Sequence, residues 1–136
     1  MRVLITGAAG FLRSHLSDAF IARGDEVYVL DIGAIAKVRH LLNNQRFHYI
    51  HDSIFNAELI DTLVAKADLI YHLAAVDGVE HYVGDPCETL NVNGTQNILK
   101  AAYKYNKPVV FSSTSEVYGR NPKVPWREDD DHVLGG

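Results

Sequence analysis

Two glycines in the stretch LITGAAGFLRSHL, Gly7 and Gly10, stand between an apolar run and a helical pattern. A glycine at Gly7 allows a tight turn. One at Gly10 lets a pyrophosphate approach the backbone, with the N–H groups of the helix start pointing at it. Asp31 follows roughly 20 residues beyond the glycines, at the end of a second apolar run, where a carboxylate accepts hydrogen bonds from an adenosine ribose. Glycine turn, helix, strand and Asp31 together point to dinucleotide binding, with NAD favoured over NADP because Asp31 would repel a 2′-phosphate.

The elements that would position these groups alternate. Arg2–Thr6 reads as a buried strand and Phe11–Arg23 as a helix, with Phe11, Leu12, Leu16, Ala19 and Phe20 at helical spacing and Gly24 as a stop. Glu26–Leu30 reads as a second strand, Ala34–Leu42 as a short helix and Phe47–Ile50 as a third strand. Asn56 caps a helix over Ala57–Lys66. Leu69–Leu73 reads as a fourth strand, Cys87–Tyr105 as a long helix opened by Asp85-Pro86, and Val109–Ser112 as a fifth strand. Continuous apolar strands alternating with helices predict an α/β fold: a Rossmann-like, doubly wound parallel sheet of about five strands with helices on both faces. Ligands of such sheets sit at the carboxyl ends of the strands.

The 136 residues suffice for one domain with a real core. A net charge of −4 argues against nucleic acid and anionic membranes as partners. No apolar run is long enough to span a bilayer, and the opening MRVLITGAAGFL reads as a strand rather than a signal peptide. The single cysteine, Cys87, permits no internal disulfide and fits a reducing, cytoplasmic location. His48 and His51 do not share a strand face, so no metal is expected, and GAAGFL lacks the Gly-Lys-Ser/Thr of a Walker loop. After Gly119 the chain turns proline-rich and acidic. Residues 1–119 are read as the cofactor-binding domain, and 120–136 as a surface loop with Glu128–Asp131 solvated on it.

The segments TGAAGFL, VLD, YHLAA, NVNGTQNIL and FSSTSEVYG, in this order, resemble the extended short-chain dehydrogenase/reductase family. The likeness runs from Met1 to about Trp126. It is closest to the family's NAD-dependent nucleotide-sugar epimerases, dehydratases and decarboxylases. The resemblance implies that Gly7, Gly10, Phe11 and Leu12 line the pyrophosphate and that Asp31 holds the adenosine ribose. Asp52 and Ser53 would flank the adenine. Leu73, Ala74 and Ala75 would pass beside the cofactor, with Asn91 and Ser112 also near it. Thr114 would be the catalytic hydroxyl that bonds the sugar oxygen, and Glu116 an acid or base on the sugar. The STSE wording leans toward decarboxylases and dehydratases.

Two departures from the family pattern stand out. Arg13 occupies the position of a third glycine. Its guanidinium can pair with a phosphate, block the site, or prise the helix from the sheet; weakened cofactor binding is the expectation. The family's Tyr-x-x-x-Lys acid/base pair would follow the Thr114 motif by some tens of residues. Tyr103 and Lys107 match the spacing but precede the fifth strand, at the wrong end of the sheet. The chain therefore reads as the N-terminal, cofactor-binding portion of such an enzyme, truncated before its substrate region and inactive alone. A non-catalytic dinucleotide-sensing module acting through a partner is the alternative. A homodimer through the long helix is possible by analogy.

Overall fold

The computed structural model describes residues 1–7, 11–33, 35–74 and 89–134. The chain begins with β1 (Arg2–Thr6), α1 (Phe11–Arg23), β2 (Glu26–Asp31), a 3-10 turn (Ile35–Leu41) and β3 (Phe47–His51). It continues with α2 (Ala57–Lys66), β4 (Leu69–His72), a π-helical stretch (Thr89–Gly94) running into α3 (Thr95–Tyr105), β5 (Val109–Phe111) and a 3-10 turn (Ser115–Tyr118). All pairings among the five strands are parallel, in the order β3-β2-β1-β4-β5.

Both faces of this sheet are covered, which is why its central strands are mostly apolar on both sides. Successive side chains of a strand point to opposite faces. Val3 and Ile5 of β1 therefore join Val27 and Val29 of β2 in a core with Phe20 and Ile21 of α1 and Val38 and Leu41 of the 3-10 turn. Leu4 and Leu30 pack on the other face with Ile60, Leu63 and Val64 of α2 and Ile98, Ala101 and Ala102 of α3. Asn56 caps α2, its side chain accepting the Leu59 N–H at 3.2 Å. Asp61 binds α2 to α3 through Lys104 Nζ at 2.9 Å and the Tyr105 hydroxyl at 2.6 Å.

Several local expectations are corrected. The long helix is two geometries, a π turn followed by α3. Its proposed start, Asp85-Pro86 and Cys87, lies outside the described residues. Gly94 sits where they meet, and a Cβ there would lie 2.2 Å from Ile54 Cδ1, so the backbone packs directly on that side chain. In α1 the predicted apolar face holds at Leu16 and Phe20 but not at its start: Phe11 and Leu12 are 75% and 67% exposed, while Ser14 and Ser17 are buried with Phe20 and Ile21. The serines satisfy their hydroxyls by donating to the carbonyls of Phe11 and Arg13. The segment after Gly119 is no loose loop. Gly119 bridges Val133, Tyr118 stacks on Trp126 at 5.3 Å, and the Trp126 indole donates to the Asn121 carbonyl. Asp130, expected to be solvated, is buried; it pairs with Lys123 and accepts the Arg127 N–H at 2.7 Å.

Candidate functional site

The sheet order reverses between β1 and β4, which makes the crevice beyond their carboxyl ends the place where such sheets bind ligands. Gly7 and Ala74 face each other across it. Gly7 donates its N–H to the Leu30 carbonyl at 2.7 Å and has φ of +74°, a conformation that favours glycine. A Cβ on Gly7 would lie 2.8 Å from Ala74 Cα and 2.8 Å from Arg13 Nη1. A backbone without side chain is thus required here, and the guanidinium of Arg13 is folded into the same crevice.

Below the crevice lies a buried polar relay. The Thr6 hydroxyl oxygen accepts the N–H groups of Leu73 and Ala74, each at 3.2 Å, and lies 2.7 Å from His72 Nδ1. Having accepted two backbone protons, the hydroxyl directs its own to Nδ1. The ring proton is then on Nε2, which donates to Thr95 Oγ1 at 2.9 Å. His72 is 1% exposed. Burial, with the Arg13 charge second, lowers its pKa to about 4, so the ring is neutral near pH 7. The relay joins β1, β4 and the first residue of α3, and it holds the backbone of Leu73 and Ala74 against the crevice.

On one side of the crevice stand the acids. Asp31 ends β2 and accepts the Gly33 N–H at 2.7 Å. The Tyr49 hydroxyl donates to the Gly33 carbonyl at 2.8 Å, and burial followed by the Asp31 charge raises its pKa. Beyond β3, Asp52 accepts the Ser53 N–H and the Asn56 side chain, while Ser53 Oγ accepts the Phe55 N–H. Asn97 of α3 donates to the Ile54 carbonyl at 2.9 Å and fastens this turn.

On the other side is the end of β5. Ser112 is exposed and donates its N–H to the His72 carbonyl at 3.3 Å. Thr114 caps the 3-10 turn, its hydroxyl oxygen accepting the Glu116 N–H at 3.3 Å. A shallow cleft of about 420 Å³ opens here, lined by Ser113, Thr114, Ser115, Val117, Tyr118 and Glu128. Glu128 was missed by sequence reasoning, which placed it in a solvated run; the Tyr118–Trp126 aromatic pair flanking a proline-rich turn was the available sign that the chain doubles back.

The structure therefore gathers Gly7, Leu73 and Ala74 at the crevice, Asp31, Asp52 and Ser53 to one side, and Ser112, Thr114 and Glu116 to the other. Phe11 and Leu12 are exposed at the start of α1, and Asn91 falls in the π turn. Gly10 and Ala75 lie outside the described residues. Tyr103 is 90% exposed near the end of α3, just before the chain enters β5 at its amino end, so Tyr103 and Lys107 stand at the opposite end of the strands from Thr114. Among the described residues no helix is long and apolar enough to cross a membrane.

The sequence model of the NAD dependent epimerase/dehydratase family matches residues 3–134. A UDP-N-acetyl-alpha-D-glucosaminuronate decarboxylase of Bacillus cytotoxicus is 40% identical over 98% of this chain and 42% of its own length. UDP-glucuronic acid decarboxylase 1 of Arabidopsis thaliana is 38% identical over 94% of this chain and 29% of its own. The crystal structure of DesIV, a dTDP-glucose 4,6-dehydratase from Streptomyces venezuelae with NAD and TYD bound, superposes with a TM-score of 0.87 at 32% identity, covering 98% of this chain and 46% of that one. The chain thus spans less than half the length of these relatives. With its family model matched almost end to end on a five-stranded Rossmann-like sheet, it belongs to the NAD dependent epimerase/dehydratase family.

Proposed function

We propose that this chain binds NAD across the β1/β4 crevice and serves as the cofactor-binding part of an enzyme acting on a nucleotide sugar by epimerisation, dehydration or decarboxylation through a keto sugar. The observation that carries the reading is the close backbone approach of Gly7 to Ala74, at the point where the strand order reverses. A dinucleotide fits these residues: Gly7, Leu73 and Ala74 offer close backbone approach, and Asp31 offers a carboxylate to ribose hydroxyls. Asp52 and Ser53 border the adenine side. Phe11 and Leu12, with Gly10, Ala75, Asn91 and Ser112, complete the proposed contacts. Bound there, NAD supplies a hydride acceptor for a sugar carbon.

The remaining chemistry falls to the β5 end. The Thr114 hydroxyl, its oxygen already occupied by the Glu116 N–H, donates its proton to a sugar oxygen and orients it. Glu116, exposed on the same turn, moves a proton to or from the sugar. Tyr103 and Lys107 stand at the amino end of β5, the other end of the strands, and take no part. We read the 136-residue chain as lacking turnover by itself, and its single cysteine as fitting a cytoplasmic location. Isothermal calorimetry tests the reading: NAD binds in the micromolar range, and UDP-sugars are not converted. Absence of NAD binding up to millimolar concentration would overturn it. NAD binding that alters association with another protein, again without turnover, would favour a sensing module instead.

A further inference from the structure

The geometry points to Arg13 as a direct ligand of the dinucleotide's diphosphate, a side-chain clamp standing where the family pattern has glycine. This rests on the NAD reading above. The sequence left three outcomes for an arginine here, and the structure removes one. The helix is not prised from the sheet: Ser14, Ser17, Phe20 and Ile21 of α1 are buried, and Ser17 donates to the Arg13 carbonyl at 3.0 Å. The guanidinium turns inward instead. Nη1 lies 2.8 Å from the point where a Gly7 Cβ would stand, and that same point is 2.8 Å from Ala74 Cα. Arg13 is half-buried.

The distribution of charge favours a clamp over a plug. Asp31 and Asp52 lie at the ends of β2 and β3, on the side proposed for ribose hydroxyls and adenine. The cation stands over β1 and β4, at the middle of the crevice, where the phosphates of a bound dinucleotide would cross. None of the ion pairs among the described residues includes Arg13. A guanidinium is planar and forked, matches two phosphate oxygens at once, and is more weakly hydrated than an ammonium.

The test is calorimetric titration of NAD into the wild-type chain and into Arg13→Gln, Arg13→Lys and Arg13→Gly, at two salt concentrations, with melting curves to confirm folding. A hydrogen-bonded charge pair of this kind predicts that Arg13→Gln weakens NAD roughly tenfold to a hundredfold. Its affinity should also depend less on salt than the wild type's. Arg13→Lys, which carries the charge without the fork, falls between the two. Equal or tighter NAD binding by Arg13→Gln or Arg13→Gly would overturn the clamp while leaving the NAD site standing. No binding by any of the four chains would overturn both.

Discussion

Acid should destabilise this fold through one histidine, before the carboxylates contribute. His72 is buried in its neutral form, and its pKa falls from 6.5 to about 4. The sign follows from proton counting. Between those values the unfolded chain binds a proton at this residue and the native chain does not, so stability falls as pH falls. Above 6.5 neither state is protonated and the residue adds no pH dependence; below about 4 both are, and the loss levels off. Each pH unit across the window is worth about 1.4 kcal/mol. From pH 6.5 to 4.5 the expected loss is about 2–3 kcal/mol, a large share of the ~5–15 kcal/mol that holds a domain of this size. The lowered carboxylates Asp25, Glu26, Asp61 and Asp130 begin to lose their contributions only below ordinary values of 3.8 and 4.5, so they leave the window largely clear. Urea unfolding at pH 7, 5.5 and 4.5, followed by circular dichroism, measures the slope for the wild type and for His72→Gln. The comparison cancels the other histidines, including His40 beside Asp18 and His48 beside Glu26. The variant is less stable at pH 7 and has the flatter slope. Equal slopes would refute both the neutral ring and the relay built on it.

Gly7→Ala should cost about 2–4 kcal/mol, combining a left-handed backbone with a Cβ pressed on the Ala74 backbone; a urea midpoint within error of wild type would show that the crevice yields. Asp130→Ala removes a carboxylate bonded to Lys123 and the Arg127 N–H, and should release the 119–134 return. Trp126, the single tryptophan, reports it directly through a fluorescence red shift as its stack on Tyr118 opens.

The sheet was legible because parallel strands covered on both faces must be apolar throughout, and few other contexts demand runs such as RVLIT or LIYH. The bounds of β1, α1 and α2 matched residue for residue, and β2 and β3 ran one residue further than read. Other features carry no such signature. A π turn has no apolar period of its own, so Thr89–Gly94 read as ordinary helix. In α1 the buried face is built partly from Ser14 and Ser17, whose hydroxyls are satisfied within the helix, so a hydrophobic count found Leu16 and Phe20 but wrongly added Phe11 and Leu12. Asp130 looked solvated because its burial depends on Lys123 and on a backbone turn, neither visible as a pattern. The notch at Gly7 was foreseen from glycine spacing; the inward fold of Arg13 was not, since spacing says nothing of where a long side chain lies.

The central place of β1 has a consequence for synthesis. Its outer neighbours on one side, β2 and β3, follow closely in the chain, but Thr6 and its partner His72 are 66 residues apart. At ~5–20 residues per second, β4 leaves the ribosome roughly 3–13 s after β1. During that interval the β4-facing edge of the most deeply buried strand waits with its hydrogen-bonding groups open, while β1, β2 and β3 can already pair. The nascent chain is thus a three-stranded sheet with a sticky inner edge, and the arrival of LIYH closes it.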